Sequence, residues 1–201
     1  MTGVILAGGE NRRIPALKGF LSVEGKAIIE RSIETLTRTL GKTVISTNMP
    51  ERYFCFGLPV IGDIIREKGP IIGIFSALAA TREDAVFVVA CDMPFVNGKL
   101  VRYMVESFGG ALMRGACVDA VIPVFGGKTE PLFGIYTRRV MDTIEWMIHH
   151  RRKGLIAMLE DLRVQYITDG EVRALDPKGA SFININTFED YERVGGKACL
   201  V

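Results

Sequence analysis

The sequence predicts an α/β protein with a doubly wound, mostly parallel sheet and helices on both of its faces. Short apolar runs rich in Val and Ile recur along the chain without strict alternation, which is typical of strands buried on both faces. Helical patterns separate these runs, and such an alternation favours an open sheet with right-handed crossovers. The 201 residues suit one domain, residues 1–201, because a single core grows to about 250 residues before chains split.

The strands are predicted from the apolar runs in chain order. A last strand is expected after a turn at residues 176–179, where Asp, Pro and Gly follow one another. The predicted strands cover residues 4–7, 44–45, 59–62, 86–90, 121–122 and 181–184.

The helices are predicted where apolar residues recur three or four positions apart. Two glycine pairs, Gly109-Gly110 and Gly126-Gly127, are interpreted as turns. Thr187 with Asp190 resembles a capping box that opens a last helix. The other predicted helices cover residues 29–40, 71–78, 100–108, 140–147 and 156–159.

Composition excludes several classes of protein. A formal net charge of +2 with scattered Lys and Arg gives no clustered basic stripe for a nucleic acid. The apolar stretch at residues 71–80 is half the ~20 residues that a membrane span needs, and the chain opens without the pattern of a signal peptide. The four cysteines, at positions 55, 91, 117 and 199, lie too far apart for a zinc site or a compact disulfide framework. We therefore expect a cytoplasmic protein that binds neither nucleic acid nor membrane.

The candidate site consists of the residues that follow the apolar runs, because ligands bind outside the carboxyl ends of the strands in an open α/β sheet. Glycines and cations follow the first run, whereas amide or carboxylate side chains follow later runs. In chain order these residues are Gly8, Gly9, Arg13, Lys18, Asn48, Asp63 and Asp92. Together they predict a site for a phosphorylated ligand and a divalent metal.

Each residue type has a physical reason to be there. The two glycines let the backbone approach phosphates and present N–H groups to them. Arg13 and Lys18 would neutralise a triphosphate, and Asp92 supplies the oxygen that Mg²⁺ favours beside substrate phosphates. Asn48 and Asp63 would read sugar hydroxyls or the base. The alternatives are a tight turn for the glycines, a solvated cation for Lys18 and a helix cap for Asp63.

Other catalytic motifs are absent from the sequence. Neither the Walker pattern nor the dinucleotide fingerprint G-x-G-x-x-G occurs. His149 and His150 are adjacent and face different sides of a helix, so they form no metal pair. Chemistry without a general base is therefore expected. A phosphate monoester suits it as the nucleophile, because its second pKa of about 6 leaves it largely ionised at neutral pH.

The motifs and their order resemble a known family over nearly the whole chain. The run Leu6-Ala7-Gly8-Gly9, with Arg13 and Lys18, resembles the nucleotidylyltransferase signature L-A-G-G-x-S-x-R-M-G-x-x-K. The later segments follow in the order of the molybdenum cofactor guanylyltransferases. They lie at residues 46–48, 63, 69–74, 91–94, 130–132 and 184–187.

This resemblance implies a Rossmann-like nucleotidyltransferase that transfers GMP from GTP to the terminal phosphate of molybdopterin and releases pyrophosphate. It also implies partners among molybdoenzymes or cofactor-delivery proteins. Asn184 and Asn186 would lie towards the acceptor, although capping of the last helix is an alternative for Asn186. Asp92 would hold Mg²⁺. The nucleotide site would comprise Leu6, Ala7, Gly8, Gly9, Lys18, Asn48, Asp63 and Asp92.

The chain departs from the signature in its first loop. Asn11 stands where the family has Ser, and Ile14-Pro15 stands where it has Met-Gly. Proline fixes φ and removes a donor, so Pro15 cannot supply an N–H to phosphate. Two alternatives stay open: a relative that uses CTP or another phosphorylated acceptor, and a carrier that binds nucleotide or cofactor without catalysis. Glu130 is interpreted as a solvated turn residue and is left out of the site.

Overall fold

The computed structural model describes residues 1–8 and 17–195. Within these residues ten strands and seven α-helices form. The strands are β1 (Thr2–Leu6), β2 (Ser22–Val23), β3 (Lys26–Ala27), β4 (Thr43–Ser46), β5 (Val60–Ile61), β6 (Ala85–Ala90), β7 (Ala120–Phe125), β8 (Lys128–Thr129), β9 (Phe133–Thr137) and β10 (Val164–Ile167). The helices are α1 (Ile28–Leu40), α2 (Pro70–Thr81), α3 (Gly98–Met113), α4 (Val140–His149), α5 (Leu155–Leu159), α6 (Asp169–Leu175) and α7 (Phe188–Arg193).

Eight strands form one sheet in the order β10-β7-β9-β6-β1-β4-β5, with β8 paired to β7 as a hairpin. Strands β6, β1, β4 and β5 run parallel to one another, and β10 runs parallel to β7. Strand β9 runs antiparallel to both of its neighbours, β6 and β7. Strands β2 and β3 form a separate hairpin. The predicted mostly parallel sheet is confirmed.

Two apolar cores cover the two faces of the sheet, because successive side chains of a strand point to opposite faces. Ile5 and Phe87 belong to one core, together with apolar residues of α1, α3 and α6. Val4 and Val88 belong to the other, together with residues of α2, α4 and α5. Helices therefore lie on both faces, as predicted for a doubly wound sheet.

The prediction that Gly109-Gly110 forms a turn is wrong. Both glycines lie inside α3. A glycine in a helix costs about 1 kcal/mol relative to alanine, but the buried side chains of Met104, Phe108 and Ala111 hold this helix against the sheet. The turn at Gly126-Gly127 is confirmed, since both residues adopt positive φ, at 57° and 76°.

The predicted strand at residues 181–184 is also wrong. The turn before it forms as expected, but Ala180–Phe182 is a 3-10 helix. The carboxylate of Asp176 accepts hydrogen bonds from the backbone N–H groups of Ala180 at 2.9 Å and Ser181 at 2.8 Å. These donors are thereby withdrawn from any strand ladder. The capping box that opens α7 at Thr187 is confirmed.

Two further predictions concern the chain as a whole. Cys55, Cys91 and Cys117 are free thiols, as predicted, whereas Cys199 lies outside the described residues. Across residues 1–8 and 17–195, no helix has the length and apolarity required to span a bilayer.

Candidate functional site

The carboxyl ends of four parallel strands meet at one edge of the sheet and position the predicted residues there. The ladder extends past the strand ends, since Ala7 N donates to Ser46 O at 2.8 Å and Cys91 N donates to Leu6 O at 3.0 Å. A cleft opens at this edge between the ends of β1 and β6. Its walls include Leu6, Ala7, Gly8, Lys18 and Asp92.

One ammonium group joins three of the predicted residues. Lys18 Nζ donates a hydrogen bond to Asp92 Oδ2 at 3.1 Å and another to Asn186 Oδ1 at 2.7 Å. The side chains of Lys18 and Asp92 are only 19% and 18% exposed, so the ion pair is partly shielded from water. Residues that lie 74 and 168 positions apart from Lys18 in sequence thus form a single cluster.

Two hydrogen bonds between different segments hold the backbone around this cluster in place. Ile185 N donates to the carbonyl of Asp92 at 3.1 Å, which joins the segment before α7 to the end of β6. Tyr191 of α7 donates its hydroxyl to Ser22 O in the β2–β3 hairpin at 2.8 Å. Thr187 caps α7, while the side chain of Asn186 faces Lys18 instead. The capping alternative therefore holds for Thr187 and is wrong for Asn186.

Asn48 and Asp63, which follow β4 and β5, bind each other through two hydrogen bonds. Asn48 Nδ2 donates to Asp63 Oδ2 at 2.6 Å, and Asp63 N donates to Asn48 Oδ1 at 2.8 Å. The amide of Asn48 is thus occupied, whereas Asp63 Oδ1 receives no hydrogen bond from the residues that the structure describes. The alternative that Asp63 caps a helix is wrong, because α2 begins only at Pro70.

Burial raises the pKa values of two side chains at this edge of the sheet, those of Cys91 and Glu130. Burial, with the charge of Asp92 beside it, raises the pKa of the Cys91 thiol to about 12. The thiol is therefore protonated at neutral pH and is not a nucleophile. Glu130, expected to be solvated, is instead partly buried, and this burial raises the pKa of its carboxyl group. The antiparallel β9 causes this, because it brings the turn before Phe133 onto the edge of the sheet.

A cation at this site would have few protein ligands. Among the described residues, no three His, Cys, Asp or Glu side chains come together. One carboxylate, Asp92, stands at the cleft beside Lys18. Mg²⁺ usually keeps several waters and is held by one or two carboxylates and substrate phosphates. The donor set therefore fits an ion that is shared with a phosphorylated substrate.

The remaining predicted residues have mixed outcomes. Asn184 donates Nδ2 to Phe182 O at 3.2 Å, so its side chain bonds locally and not to the Lys18 cluster. Gly9, Arg13 and Pro15 lie outside the described residues.

Six residues of the cleft wall were not predicted as site residues: Leu17, Tyr53, Pro70, Ala90, Cys91 and Leu132. Pro70 and Leu132 lie in motifs that carry the family resemblance, which was the available signal. Tyr53 is 1% exposed and packs against the rings of Phe20 and Phe56. No local pattern marks its contact with the cleft, because the contact depends on how the segment after β4 folds.

The comparisons with known proteins agree with this geometry. Residues 3–166 match the family described as MobA-like NTP transferase domain. A probable molybdenum cofactor guanylyltransferase of Pelotomaculum thermopropionicum is 35% identical over 189 residues, covering 94% of this chain and 89% of the relative. A molybdenum cofactor guanylyltransferase of Desulfosudis oleivorans is 33% identical over 194 residues, covering 96% of this chain and 93% of the relative.

A solved structure shares the fold over the same extent. The crystal structure of molybdopterin-guanine dinucleotide biosynthesis protein A from Archaeoglobus fulgidus has a TM-score of 0.82 and 29% sequence identity, and 96% of each chain is covered. The chain is thus similar to these proteins along almost its whole length, which includes the sheet edge and the cleft. The chain belongs to the family of MobA-like NTP transferase domains and is a nucleotidyltransferase.

Proposed function

We propose that the protein transfers GMP from GTP to the terminal phosphate of molybdopterin, forming molybdopterin guanine dinucleotide and releasing pyrophosphate. Relatives that match nearly the whole chain are named molybdenum cofactor guanylyltransferases. The observation that carries the proposal is the meeting of Lys18, Asp92 and Asn186 at the cleft. It joins a cation for phosphates and an oxygen ligand for a metal to an amide on the proposed acceptor side.

The nucleotide is proposed to lie along the ends of β1, β4 and β5. Ala7 forms a rigid floor, because its carbonyl accepts a hydrogen bond from Thr47 Oγ1 at 3.2 Å and its N–H is bonded to β4. Gly8 is exposed and leaves the backbone open to a ligand. Asp63 would accept hydrogen bonds from sugar hydroxyls through Oδ1. Asn48 holds that carboxylate in place.

The chemistry requires positioning and charge neutralisation more than proton transfer. An oxygen of the acceptor phosphate attacks the α-phosphorus of GTP in line, the bond from that phosphorus to the bridging oxygen breaks, and pyrophosphate leaves. The attacking monoester is largely ionised at neutral pH, since its second pKa is about 6, so no general base is needed. Lys18 would bind the triphosphate, and Arg13 is proposed for the same role.

A divalent metal is expected in this class of enzyme, and we propose that it is Mg²⁺ bound by Asp92. When bound, it supplies charge neutralisation for the triphosphate. Lys18 and Asp92 are both needed for this arrangement, whereas a carrier that only binds nucleotide needs neither. The names of the relatives make GTP and molybdopterin the proposed substrates.

Pyrophosphate release with Mg²⁺ and molybdopterin, measured for GTP, CTP, ATP and UTP in turn, tests the proposal. We expect release with GTP alone. Asp92→Asn should lower kcat by about 10²–10³, the usual effect of removing one electrostatic contact at a reacting centre. Asp142→Asn is the matched control, because Asp142 is exposed on α4, and it should leave kcat unchanged. Release with CTP would change the substrate, and full activity of Asp92→Asn would refute the assigned site.

A further inference from the structure

The Lys18 cluster has a property that the proposed reaction does not require. The ammonium of Lys18 occupies Asp92 Oδ2, an oxygen of the carboxylate proposed to hold the metal. The same ammonium is anchored from the other side by Asn186 Oδ1 at 2.7 Å. The candidate metal ligand is thus paired with a cation of the chain itself.

We propose that Lys18 is an internal competitor for the metal site, so that Asp92 binds a divalent cation only weakly until a triphosphate draws the ammonium away. The identity of that triphosphate rests on the proposed function. The competition itself rests only on the contacts among Lys18, Asp92 and Asn186. Free divalent cations are thereby kept off the site, and the metal enters with the nucleotide.

The environment strengthens the competition. The two side chains of the ion pair are both less than one fifth exposed, and Coulomb interactions are stronger where water is partly excluded. A free cation that approaches Asp92 meets a carboxylate whose charge is already balanced. Among the described residues no group of three acidic or histidine ligands offers an alternative site. The cation must therefore displace Lys18 or share one carboxylate with it.

Asn186 acts as a positioning residue in this arrangement. Asp190 Oδ2 accepts hydrogen bonds from the backbone N–H groups of Asn186 at 3.0 Å and of Thr187 at 2.9 Å. The segment before α7 is therefore fixed, and the amide of Asn186 holds the flexible side chain of Lys18 over Asp92. The amide of Asn186 is uncharged, so it attracts the ammonium of Lys18 less strongly than the charged oxygens of a polyanion would.

A triphosphate is the kind of ligand that reverses the competition. It offers several charged oxygens to an ammonium whose three donors sit on a flexible stem. Lys18 can then exchange one carboxylate and one amide for phosphate oxygens, which frees Asp92 Oδ2. Because the ammonium and a divalent cation compete for the same carboxylate, removal of the ammonium should raise the affinity for a divalent cation in the absence of any nucleotide.

The test measures binding of Mn²⁺ alone, as free Mn²⁺ by electron paramagnetic resonance, with no nucleotide or acceptor present. Lys18→Met should bind Mn²⁺ about tenfold more tightly than the wild type, which corresponds to about 1.4 kcal/mol. Lys26→Met is the matched control: Lys26 pairs with Glu34 on the surface, and its loss removes the same charge without changing affinity. The double variant Lys18→Met with Asp92→Asn should lose the gain.

A second pair of variants tests the anchor. Asn186→Ala should raise Mn²⁺ affinity by about threefold, since loss of one hydrogen bond of ordinary strength loosens Lys18. Asn184→Ala should have no effect, because that side chain bonds to Phe182 O.

Equal affinity of Lys18→Met and the wild type would overturn the inference, as would a gain that persists in the double variant. If Lys18→Met does not fold, Lys18→Gln carries the same comparison. Turnover is not measured, so an absence of pyrophosphate release would refute the proposed function without affecting this result.

Discussion

Replacing Gly134 by alanine adds one methyl group at the centre of the sheet. Gly134 lies in β9 and faces Val88 of β6. A Cβ atom at this position would stand 2.6 Å from Ile122 Cδ1 and 2.9 Å from the carbonyl oxygen of Val121. The isoleucine side chain can rotate away, but the carbonyl belongs to the backbone of β7 and can move only with that strand.

The expected loss of stability follows from two opposing terms. Overpacking of this kind costs about 1–3 kcal/mol, whereas alanine lowers the entropy of the unfolded chain and returns about 0.4–1 kcal/mol. With the middle of each range, about 2 and about 0.7 kcal/mol, the net loss for Gly134→Ala is about 1–2 kcal/mol. In a protein of this size each kcal/mol shifts Tm by about 2–4 °C, so Tm should fall by about 2–8 °C.

Gly109→Ala is the matched control, because the same substitution should there have the opposite effect. Gly109 lies inside α3, and a Cβ atom would meet nothing within 4 Å. Alanine is the better helix former by about 0.5–1 kcal/mol, so Tm should rise by about 1–4 °C. Thermal unfolding followed by circular dichroism, with urea titration at 25 °C, measures both variants. A Gly134→Ala protein that melts at or above the wild-type temperature would refute the close approach of β9 to β7.

Two further changes probe the electrostatics and the capping of the fold. Asp119 is buried, which by itself raises the pKa of its carboxyl group, but hydrogen bonds from Arg163 lower that pKa overall. The stabilising effect of the ionised carboxylate is complete above the pKa of the unfolded state, about 3.9, and is lost as pH falls through the lowered pKa of the folded state. Asp119→Asn should therefore flatten the dependence of the unfolding free energy on pH below about pH 5. Urea titrations that give the variant and the wild type the same pH dependence would contradict this. Thr187→Ala should cost about 1 kcal/mol by removing the cap of α7, while Thr187→Ser should retain most of it; a Tm for Thr187→Ala equal to that of the wild type would show that the cap does not stabilise the fold.

The part of the candidate site at the ends of β1, β4, β5 and β6 could be predicted because it depends on local patterns. Strands β1, β4, β5 and β6 are short apolar runs, and parallel strands bring the residues after them to one edge. Gly8, Asn48, Asp63 and Asp92 were therefore predicted together, and the structure locates all four at that edge. The contact of Lys18 with Asn186 had no such signal. It depends on α7 packing against the β2–β3 hairpin, through contacts such as that of Tyr191 with Ser22.

The errors have physical causes of the same kind. Gly109 and Gly110 favour a turn locally, but burial of the neighbouring apolar face keeps them in a helix. Residues 181–184 favour a strand locally, but the N–H of Ser181 donates to the carboxylate of Asp176. The N–H groups of Phe182 and Ile183 donate to the carbonyls of Gly179 and Ala180 in a 3-10 turn. Strand β9 was not predicted at all, because Gly134 interrupts its apolar run, and its antiparallel direction is set by its partners on both sides.

The antiparallel direction of β9 places the connection before it apart from the ends of β4 and β5, so the sequences of the two regions can vary independently. Strand β9 runs antiparallel to β6 and β7, so it starts at the edge of the sheet where they end. The connection from β7 to β9, residues 126–132, therefore lies at the site edge, on the side away from β4 and β5. Changes in the length or sequence of that connection alter one wall of the cleft and leave the ends of β4 and β5 untouched. A chimera that exchanges only this connection with a relative would therefore alter the cleft wall that contains Leu132 and would keep the ends of β4 and β5 as they are.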